Sequence, residues 1–305
     1  MYYLHKRGYG MSTVQKATFV PNDAQTKCRT LAFTIAKGGQ LKSTSAMNIA
    51  AAIVKDTTLP QAKVCIIDTD PQANIFTSFG LDADMLPENE DLSAAMLGYT
   101  NEDGDNITGF EALQHTVHEL YKETDTRFIH CMTSNERCDL LEMTILTNLD
   151  IYRNPTTLLR DVCKELANYY THIIIDTPPS YSLTVSNVLM VDNVEVFVPF
   201  EPETYALRSV GKTIRAFDSF KEKNPSATFG GVFATKVKTK TNIHASIIGT
   251  ARSFVQASRK PYLKTYIPNT IKIANSVYYE ALPPLLTNKK SDHVIEYFNL
   301  WKEIQ

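Results

Sequence analysis

The sequence is poor in glycine, in paired cysteines and in long apolar runs. It has 12 glycines and five cysteines in 305 residues, and no two cysteines stand in a CxxC spacing. An odd number of widely spaced cysteines argues against a disulfide framework or a zinc site. No stretch approaches the roughly 18 apolar residues of a membrane span. The basic N-terminus is not followed by the apolar run of a secretory signal. We therefore expect a cytoplasmic globular protein.

Charge is distributed unevenly along the chain, although the net charge is only −2. Residues 1–204 hold 15 basic and 27 acidic residues, whereas residues 205–305 hold 16 basic and 6 acidic ones. Twelve of the acids fall within residues 82–125, which contain a single lysine. Such opposed blocks indicate an acidic face and a basic face. The basic block is a candidate surface for a polyanionic partner.

Strands and helices alternate from Arg29 onwards, and this alternation predicts the fold class. Five apolar runs are predicted as buried strands, at 29–36, 63–70, 172–180, 194–200 and 228–237. Helical patterns separate them, as in βαβ units, so we predict an α/β protein with a doubly wound, mostly parallel sheet and helices on both faces. We expect residues 1–27 to form a flexible N-terminal extension. Residues 28–305 are predicted to form a single domain with an acidic insertion around 82–125.

A phosphate-binding loop is indicated between the first strand and the first helix. Residues 36–43, AKGGQLKS, occupy the place of the pattern G-x-x-x-x-G-K-[ST], but Ala36 and Leu41 stand where that pattern has glycine. The alternative interpretation is an ordinary strand–turn–helix connection with surface lysines. Because the chain has only 12 glycines, a Gly-Gly pair at this junction favours the phosphate-binding interpretation.

The chemistry of such a loop remains possible without the two pattern glycines. Gly38 and Gly39 allow backbone N–H groups to turn toward an anion. The N-terminus of the following helix directs free N–H groups and the positive end of its dipole at the same point. Lys42 is then expected to neutralise β- and γ-phosphate charge, and the Ser43 hydroxyl to ligate Mg²⁺.

Aspartates follow two further strands. Asp68 and Asp70 lie in IIDTDPQAN, and Asp176 lies in IIIDTPPS. Ligands of open parallel sheets bind beyond the carboxyl ends of the strands, so the three segments are expected to converge at one edge. Asp176 is placed to hold a Mg²⁺-bound water, and the other two face the γ-phosphate region. A single aspartate at a strand end is usually a cap, but three beside a lysine-rich loop favour a site.

Five motifs in order resemble the ParA family of DNA-partitioning ATPases, within the wider MinD/ParA group. KGGQLKST is similar to the deviant Walker A motif KGGxGK[ST][ST], and IIDTDPQAN to a D-x-D-P-Q-x-N run. IIIDTPPS looks like a D-x-P-P Walker B motif, and VFVPFEPETYAL like V-P-x-x-x-E-x-x-A-L. TYIPNTIKIANSVYYEALPPL resembles an isoleucine-proline segment that ends in a glycine-proline turn. The resemblance implies that residues 28–305 form one P-loop NTPase-like ATPase domain.

The same resemblance implies an ATP–Mg²⁺ site within a sandwich dimer. The residues implied to bind the nucleotide are Lys37, Gly38, Gly39, Lys42, Ser43, Thr44 and, near the adenine, Pro268 and Asn269. Lys37 would reach the partner's phosphates and add positive charge where the transition state is negative. Asp70 would orient the attacking water. Asp68 and Asp176 would hold Mg²⁺ through water, while Ser43 would ligate it directly.

DNA and a protein partner are implied as well. Members of the family bind DNA without sequence preference as ATP-bound dimers and act with a ParB-like centromere-binding protein in plasmid or chromosome partition. The chain would then be a nucleoid-associated cytoplasmic protein with no membrane partner. The basic block supplies ten candidate DNA-binding residues: Lys236, Lys238, Lys240, Arg252, Arg259, Lys260, Lys264, Lys272, Lys289 and Lys290.

Two departures from the family pattern leave alternatives open. Leu41 replaces a family glycine, and Ala281 replaces the glycine expected before the proline pair. If the loop needs a positive φ at Leu41, the cost is on the order of 1–3 kcal/mol. The first alternative is therefore a nucleotide-regulated DNA-binding scaffold with lost or very slow hydrolysis. The second is a MinD-like membrane-cycling ATPase, but the C-terminal segment 291–305 carries acids on its polar side and is expected to pack on the core.

Overall fold

The computed structural model of the protein describes residues 14–23, 25–239, 241–287 and 295–305. The strands in these ranges are β1 (Gln15–Lys16), β2 (Arg29–Phe33), β3 (Ala62–Asp68), β4 (Tyr99–Thr100), β5 (Asn106–Ile107), β6 (Val117–Thr124), β7 (Arg127–Thr133), β8 (His172–Asp176), β9 (Val194–Phe200) and β10 (Thr228–Ala234). The α-helices are α1 (Lys42–Lys55), α2 (Asn74–Ser78), α3 (Leu92–Leu97), α4 (Gly109–Thr116), α5 (Leu141–Thr147), α6 (Leu158–Leu166), α7 (Leu183–Leu189), α8 (Ala206–Lys221), α9 (Asn242–Ala257), α10 (Lys272–Glu280) and α11 (Ile295–Ile304).

Eight strands form one sheet in the order β1-β6-β7-β3-β8-β2-β9-β10. The six strands from β7 to β10 run parallel, while β6 and β1 add an antiparallel edge. Helices α1, α2, α10 and α11 contribute to the core on one face, and α3, α4, α6, α7, α8 and α9 to the core on the other. The predicted α/β class, with a mostly parallel sheet covered on both faces, is confirmed.

Helix α1 is held rigidly at the centre of the molecule. Its predicted apolar face, Ala46, Ile49, Ala50 and Ile53, is fully buried. Helix α11 covers α1 from outside, because its residues Tyr297, Leu300 and Trp301 are buried in the same core. The expectation that the C-terminal segment packs on the core is thus confirmed for α11. Across the described ranges, no helix combines the length and the apolar character needed to span a bilayer.

The acidic segment 82–125 is part of the domain core, and this corrects its prediction as an insertion. It contributes β6 to the main sheet and helices α3 and α4 to one face. Leu92, Leu113 and Val117 are each at most 1% exposed and belong to the core. These apolar residues are spaced between acids, so the charge of the segment conceals its buried face.

The described part of the N-terminal extension also differs from the predicted flexible arm. Strand β1 pairs antiparallel with β6, and the ring of Phe19 packs edge-on against Phe110 and Tyr169. Asn22 Nδ2 donates a hydrogen bond to the carbonyl of Tyr170 at 2.9 Å. Residues 1–13 lie outside the described ranges. From residue 14 onwards, with residue 24 not described, the segment completes the antiparallel edge of the sheet.

Candidate nucleotide-binding site

Strand register brings the three predicted motifs to one level at one edge of the sheet. Asp176, the last residue of β8, is the register partner of Phe33 on β2 and of Asp68 on β3. The loops that follow are tied back to the strands, since Thr69 Oγ1 donates to the Asp176 carbonyl at 2.7 Å and Thr177 Oγ1 to the Phe33 carbonyl at 2.9 Å. The phosphate loop and both aspartate motifs therefore leave the sheet side by side.

The loop between β2 and α1 has a left-handed backbone at two positions. Gly39 has φ of 73°, and Leu41 has φ of 60° and ψ of 34°. The Leu41 carbonyl accepts the first helical hydrogen bond from Ser45 N–H at 2.8 Å. The side chain of Leu41 is half-buried and packs against the core that contains α1. Leu41 thus keeps a glycine-like backbone, and its packing offsets part of a strain of about 1–3 kcal/mol.

Two other loops also contain non-glycine residues with positive φ. Ala73, in the DTDPQAN segment, has φ of 46°. Ala281 has φ of 51°, at the position where the resemblance leads one to expect glycine. Both sequence departures, Leu41 and Ala281, therefore retain the backbone conformation that glycine adopts most readily. Strain of this kind is typical of functional sites.

Gln40 fixes the phosphate loop between two strand ends. Its side chain is 2% exposed, and its Oε1 accepts a hydrogen bond from Glu201 N–H at 2.7 Å. Its Nε2 donates to the Gly38 carbonyl at 3.2 Å, and its own carbonyl accepts from Thr235 Oγ1 at 3.4 Å. The loop is thereby attached to the ends of β9 and β10. The sequence pattern leaves the position of Gln40 unspecified, so no motif signal identified it.

Lys42 and three aspartates form a partly dehydrated charge cluster. Lys42 is 7% exposed, and its Nζ donates to the Lys37 carbonyl at 3.4 Å. Burial lowers the pKa of Lys42, and the negative charges of Asp176 and Asp70 oppose that shift. Asp176 and Asp68 are both 0% exposed. This cluster gives the first turn of α1 a cation next to carboxylates that water does not reach.

The two buried carboxylates destabilise each other's ionised form. Burial raises the pKa of Asp176 to about 7, against the opposing effects of the Ser43 hydroxyl and the Lys42 ammonium. Burial and the charge of Asp176 raise the pKa of Asp68 well above its ordinary value. Asp68 is partly stabilised, because it accepts hydrogen bonds from the N–H groups of Asp70 at 3.2 Å and Ile75 at 3.1 Å.

The donor set fits a magnesium ion that arrives with a nucleotide. Neither carboxylate oxygen of Asp176 has a hydrogen bond of normal geometry among the described residues, although the Ser43 hydroxyl lies close enough to lower its pKa. Buried polar oxygens without partners are costly, and metal-bound waters would supply the missing donors. No three acidic, imidazole or thiol side chains converge as a metal cage within the described ranges. Mg²⁺ characteristically takes one or two protein ligands, several waters and substrate phosphates, which Ser43 and Asp176 can satisfy.

The other predicted catalytic residues lie around this cluster. Asp70, 9% exposed, accepts a hydrogen bond from Gln72 N–H at 3.1 Å, and its charge acts on Lys42. Lys37 is half-buried and forms an ion pair with Glu203, which follows β9. The hydrogen bond that the Lys37 ammonium donates to Glu203, together with the charge of Lys37, lowers the pKa of Glu203. In the single chain, therefore, Lys37, which is predicted to reach the partner's phosphates, is paired with Glu203 of its own chain.

Pro268 and Asn269 lie beside the end of β10. Pro268 forms a bridge with Val237, and Asn269 N–H donates to the Val237 carbonyl at 3.0 Å. This position is at the edge of the sheet from which the phosphate loop leaves. No described hydrogen bond joins either residue to the phosphate loop, and their assignment to the adenine stays a prediction.

The ten candidate DNA-binding residues separate into four groups. Lys240, Lys289 and Lys290 lie outside the described residues. Lys236 lies beside the phosphate loop, where its Nζ is 3.1 Å from Glu201 Oε2. Lys260 pairs with Asp218 and lies over two aromatic rings. The remaining five are exposed and form no ion pair with a described carboxylate: Lys238, Arg252, Arg259, Lys264 and Lys272.

Comparison with known proteins assigns the class of the chain. Residues 28–228 match the sequence profile of the family described as AAA domain, so the chain belongs to that family. A ParA family protein of Mycoplasma genitalium is 28% identical over 277 residues, which cover 90% of this chain and 96% of that protein. The chromosome partitioning protein ParA of Myxococcus xanthus is 26% identical over 273 residues, covering 88% and 84%. The resemblance to the ParA family of ATPases is thereby confirmed.

Solved structures show the same fold. A variant of McdA from Cyanothece in complex with ATP superposes with a TM-score of 0.71 at 17% identity, covering 92% of this chain and 96% of that one. Cobyrinic acid a,c-diamide synthase from Mycobacterium smegmatis with bound ADP and magnesium gives 0.66 at 23% identity, covering 90% and 93%. The predicted P-loop NTPase-like architecture is confirmed, whereas the roles of individual site residues remain predictions.

The left-handed backbone at Leu41 predicts a specific pattern of stabilities. Leu41→Val should lower the free energy of unfolding by about 1–2 kcal/mol, because β-branched residues are the least tolerant of positive φ. Leu41→Gly should change it by less than about 1 kcal/mol, since relief of strain compensates for lost packing. Urea denaturation measures both. Leu59→Val, a half-buried leucine of the same core without positive φ, is the control. Equal losses for the two valine variants would contradict the strained loop.

The buried carboxylates predict a pH dependence of stability in the absence of Mg²⁺ and nucleotide. Because the folded-state pKa of Asp176 lies above its ordinary value of 3.8, the stability that the protonated group contributes is lost as pH rises through about 7. Between pH 6 and 8 the wild type should lose about 1 kcal/mol more than Asp176→Asn. Thermal or urea unfolding at both pH values measures the difference. Parallel pH profiles for the two proteins would show that Asp176 is not held in this environment.

Proposed function

We propose that the chain is an ATP-dependent dimerising ATPase that binds DNA non-specifically and drives plasmid or chromosome partition with a ParB-like partner. The observation that carries the proposal is the buried Lys42 in the first turn of α1, which follows a left-handed loop and lies near the buried Asp176. The carboxylate of Asp176 has no hydrogen bond of normal geometry among the described residues. Solved structures of the same fold contain ATP in one case and ADP with magnesium in another. ATP and Mg²⁺ are therefore the proposed ligands.

Each residue of the site has a separate role in phosphoryl transfer. When bound, Mg²⁺ supplies positive charge against the β- and γ-phosphates. Lys42 neutralises the same phosphates from the first turn of α1, and the loop N–H groups bind their oxygens. Asp176 would hold the Mg²⁺ through water, and Ser43 would ligate it with its hydroxyl. Asp70 orients the attacking water.

Lys37 acts in the dimer. Its ammonium is held by Glu203 in the single chain, and an ion pair of this partly exposed kind contributes little stability. A phosphate group of the nucleotide bound to the partner has a higher charge density than the Glu203 carboxylate. It therefore competes with Glu203 for the Lys37 ammonium. Lys37 then adds positive charge where the transition state is most negative. Hydrolysis is proposed to be slow until the dimer and the ParB-like partner are engaged.

An apolar surface next to the site supports dimerisation. Exposed apolar side chains cluster on and around α5: Leu140, Met143, Leu146, Leu149 and Ile151 are each 47–67% exposed. A cavity of about 330 Å³ between Leu141, Glu142 and the Pro178–Pro179 turn lies between this surface and the aspartate motifs. Contiguous exposed apolar groups mark interaction surfaces. Their position next to the cavity that borders the aspartate motifs suits a dimer that closes when ATP binds.

The basic C-terminal third supports DNA binding. Arg252, Lys264 and Lys272 are exposed and free of described ion pairs, and α9 contains no acidic residue. Unpaired cations on one part of the chain are what phosphate contacts without base readout require. We propose a cytoplasmic, nucleoid-associated location on this basis. Tyr297, Leu300 and Trp301 of α11 are buried in the core, and on this basis we do not favour the membrane cycling of the MinD-like alternative.

The scaffold alternative depended on a positive φ at Leu41, and the structure has that positive φ. The alternative also requires that the strain weaken ATP binding or hydrolysis, whereas the side chain of Leu41 packs on the core and offsets part of the strain. We propose that the strain is a cost to folding rather than to ATP binding. We propose turnover of ATP, and measured hydrolysis with DNA and without it distinguishes the two functions.

Removal of Lys42 tests the nucleotide site. Lys42→Ala should weaken binding of ATP–Mg²⁺ at least 100-fold, because a charge-assisted contact to the phosphates is lost within a partly dehydrated site. Isothermal titration calorimetry measures the affinity. Lys55→Ala, at the other end of α1 and paired with Glu123, is the control and should bind as the wild type does. Unchanged affinity of Lys42→Ala would refute the site.

Charge reversal tests the DNA surface separately. The double variant Arg252→Glu/Lys264→Glu should lower affinity for random duplex DNA more than tenfold near 0.1 M salt, with ATP affinity unchanged. Wild-type binding should be stronger with ATP than with ADP and should fall steeply with salt. Fluorescence anisotropy measures both, with the Lys122→Glu variant, on the β6–β7 hairpin, as control. DNA affinity that survives the double reversal would exclude this surface.

A further inference from the structure

Lys236, a lysine from outside the loop segment, lies over the phosphate loop, and no motif of the chain accounts for it. Lys236 Nζ is 3.8 Å from the position that a Cβ atom on Gly39 would occupy, and apart from Gly39 and its two chain neighbours no other described residue comes within 4 Å of that position. Lys236 is therefore the side chain that borders the left-handed turn of the loop at Gly39. Its ammonium lies 3.1 Å from Glu201 Oε2.

The backbone around Lys236 is held in place from both sides. Thr235 Oγ1 donates to the carbonyl of Gln40 in the loop, and Val237 N–H donates to the carbonyl of Ile267. Lys236 itself has φ of 49°, an uncommon conformation for a residue with a side chain. A single non-glycine residue in this conformation, fixed by its neighbours on each side, sets the direction of its side chain toward the loop.

Two lysine–glutamate pairs thus flank the loop. Lys37 pairs with Glu203, and Lys236 pairs with Glu201, whose own N–H is bound by Gln40. The charge of Lys236 also lowers the pKa of Glu203, after the larger effect of Lys37, so the four charges lie within reach of one another. The side chains of the Lys236–Glu201 pair are only 31% and 18% exposed, and part of their hydration is lost.

We propose that Lys236 is a phosphate-binding residue of the same chain, and that Glu201 holds its ammonium until a nucleotide binds. The ligand is the polyphosphate tail of a nucleoside di- or triphosphate. A phosphate oxygen above Gly39 accepts a hydrogen bond from Lys236 Nζ in exchange for Glu201 Oε2. Lys236 then belongs to the nucleotide site rather than to the DNA surface. This inference rests on the proposed function, because it assumes that the loop binds phosphate.

The exchange has a physical reason. An ammonium between a carboxylate and a polyphosphate is attracted to the group with the greater negative charge, and partial burial strengthens that preference. Glu201 keeps the ammonium partnered whenever no phosphate is bound, because an unpaired half-buried charge would be costly. Removal of Glu201 should therefore favour the bound state, and removal of Lys236 should disfavour it.

Calorimetric titration with ATP–Mg²⁺ and with inorganic tripolyphosphate, without DNA, tests the proposal. Lys236→Met should weaken both ligands about tenfold, and Lys236→Arg should stay within about threefold of the wild type. Lys122→Met is the matched control, because Lys122 is also paired with an acid, Asp125, on the β6–β7 hairpin. It should not change either affinity.

Glu201→Gln should tighten both ligands about threefold, and in the background of Lys236→Met it should have no effect, because the two residues act as one unit. Wild-type affinity of Lys236→Met for tripolyphosphate would overturn the proposal while the nucleotide site stands. A loss for ATP alone would also overturn it, since the contact would then be to base or ribose. If the wild type binds neither ligand, both the proposal for Lys236 and the proposed function are wrong. If Lys236→Met does not fold, the affinities of Lys236→Arg and Glu201→Gln test the proposal. The first should stay within about threefold of the wild type, and the second should be about threefold tighter.

Discussion

The left-handed backbone at Leu41 determines how the polypeptide turns from the central strand β2 into α1. It places the first N–H groups of α1 and the Lys42 side chain at the same sheet edge as Asp68 and Asp176. A leucine there is strained, and the strain is tolerated because the neighbouring structure is over-determined. Gln40 fixes one side of the loop, and the buried α1 fixes the other. The contacts of the fold therefore hold the conformation of the loop.

The rest of the fold offsets the electrostatic cost of the site. Two buried carboxylates and a buried lysine lie where water is excluded, which is unfavourable without a ligand. Helix α11 braces α1 from the other side through Asp56, just beyond the C-terminus of α1. Asp56 Oδ2 accepts hydrogen bonds from Trp301 Nε1 and Lys302 Nζ, both at 2.8 Å. Although burial raises the pKa of Asp56, these and neighbouring hydrogen bonds lower it overall. The C-terminal end of α1 is therefore stable, whereas its N-terminal end carries the unfavourable buried charges of the site.

The sequence predicted the parallel core of the fold because its strands are continuous apolar runs, and the register that aligns Asp68 with Asp176 follows from that. It did not predict β6 or β1, since an edge strand with charged residues on its outer face lacks such a run. The acidic segment 82–125 concealed core residues such as Leu113 among its charges. A count of charges reports on the surface, whereas membership of the core depends on the few apolar positions between them.

Within the site, the residues that carry charge at fixed motif positions were predictable, and those that hold them were not. Lys42 and Asp176 were located from spacing and strand ends, and their roles in binding the nucleotide stay predictions. Gln40, Glu201 and the location of Lys236 emerged only from the fold, because their partners are distant in sequence and meet through strand order. Lys236 shows the limit most clearly, since its position in a basic block suggested DNA although its ammonium lies beside Gly39.

The most direct test of the account is a crystal structure of the chain with a non-hydrolysable ATP analogue and Mg²⁺. The account predicts phosphate oxygens within hydrogen-bond distance of the loop N–H groups, both Asp176 oxygens partnered by metal-bound water, and Leu41 still at a φ near 60°. An empty loop under saturating nucleotide, or a loop that binds only after Leu41 turns to negative φ, would contradict it.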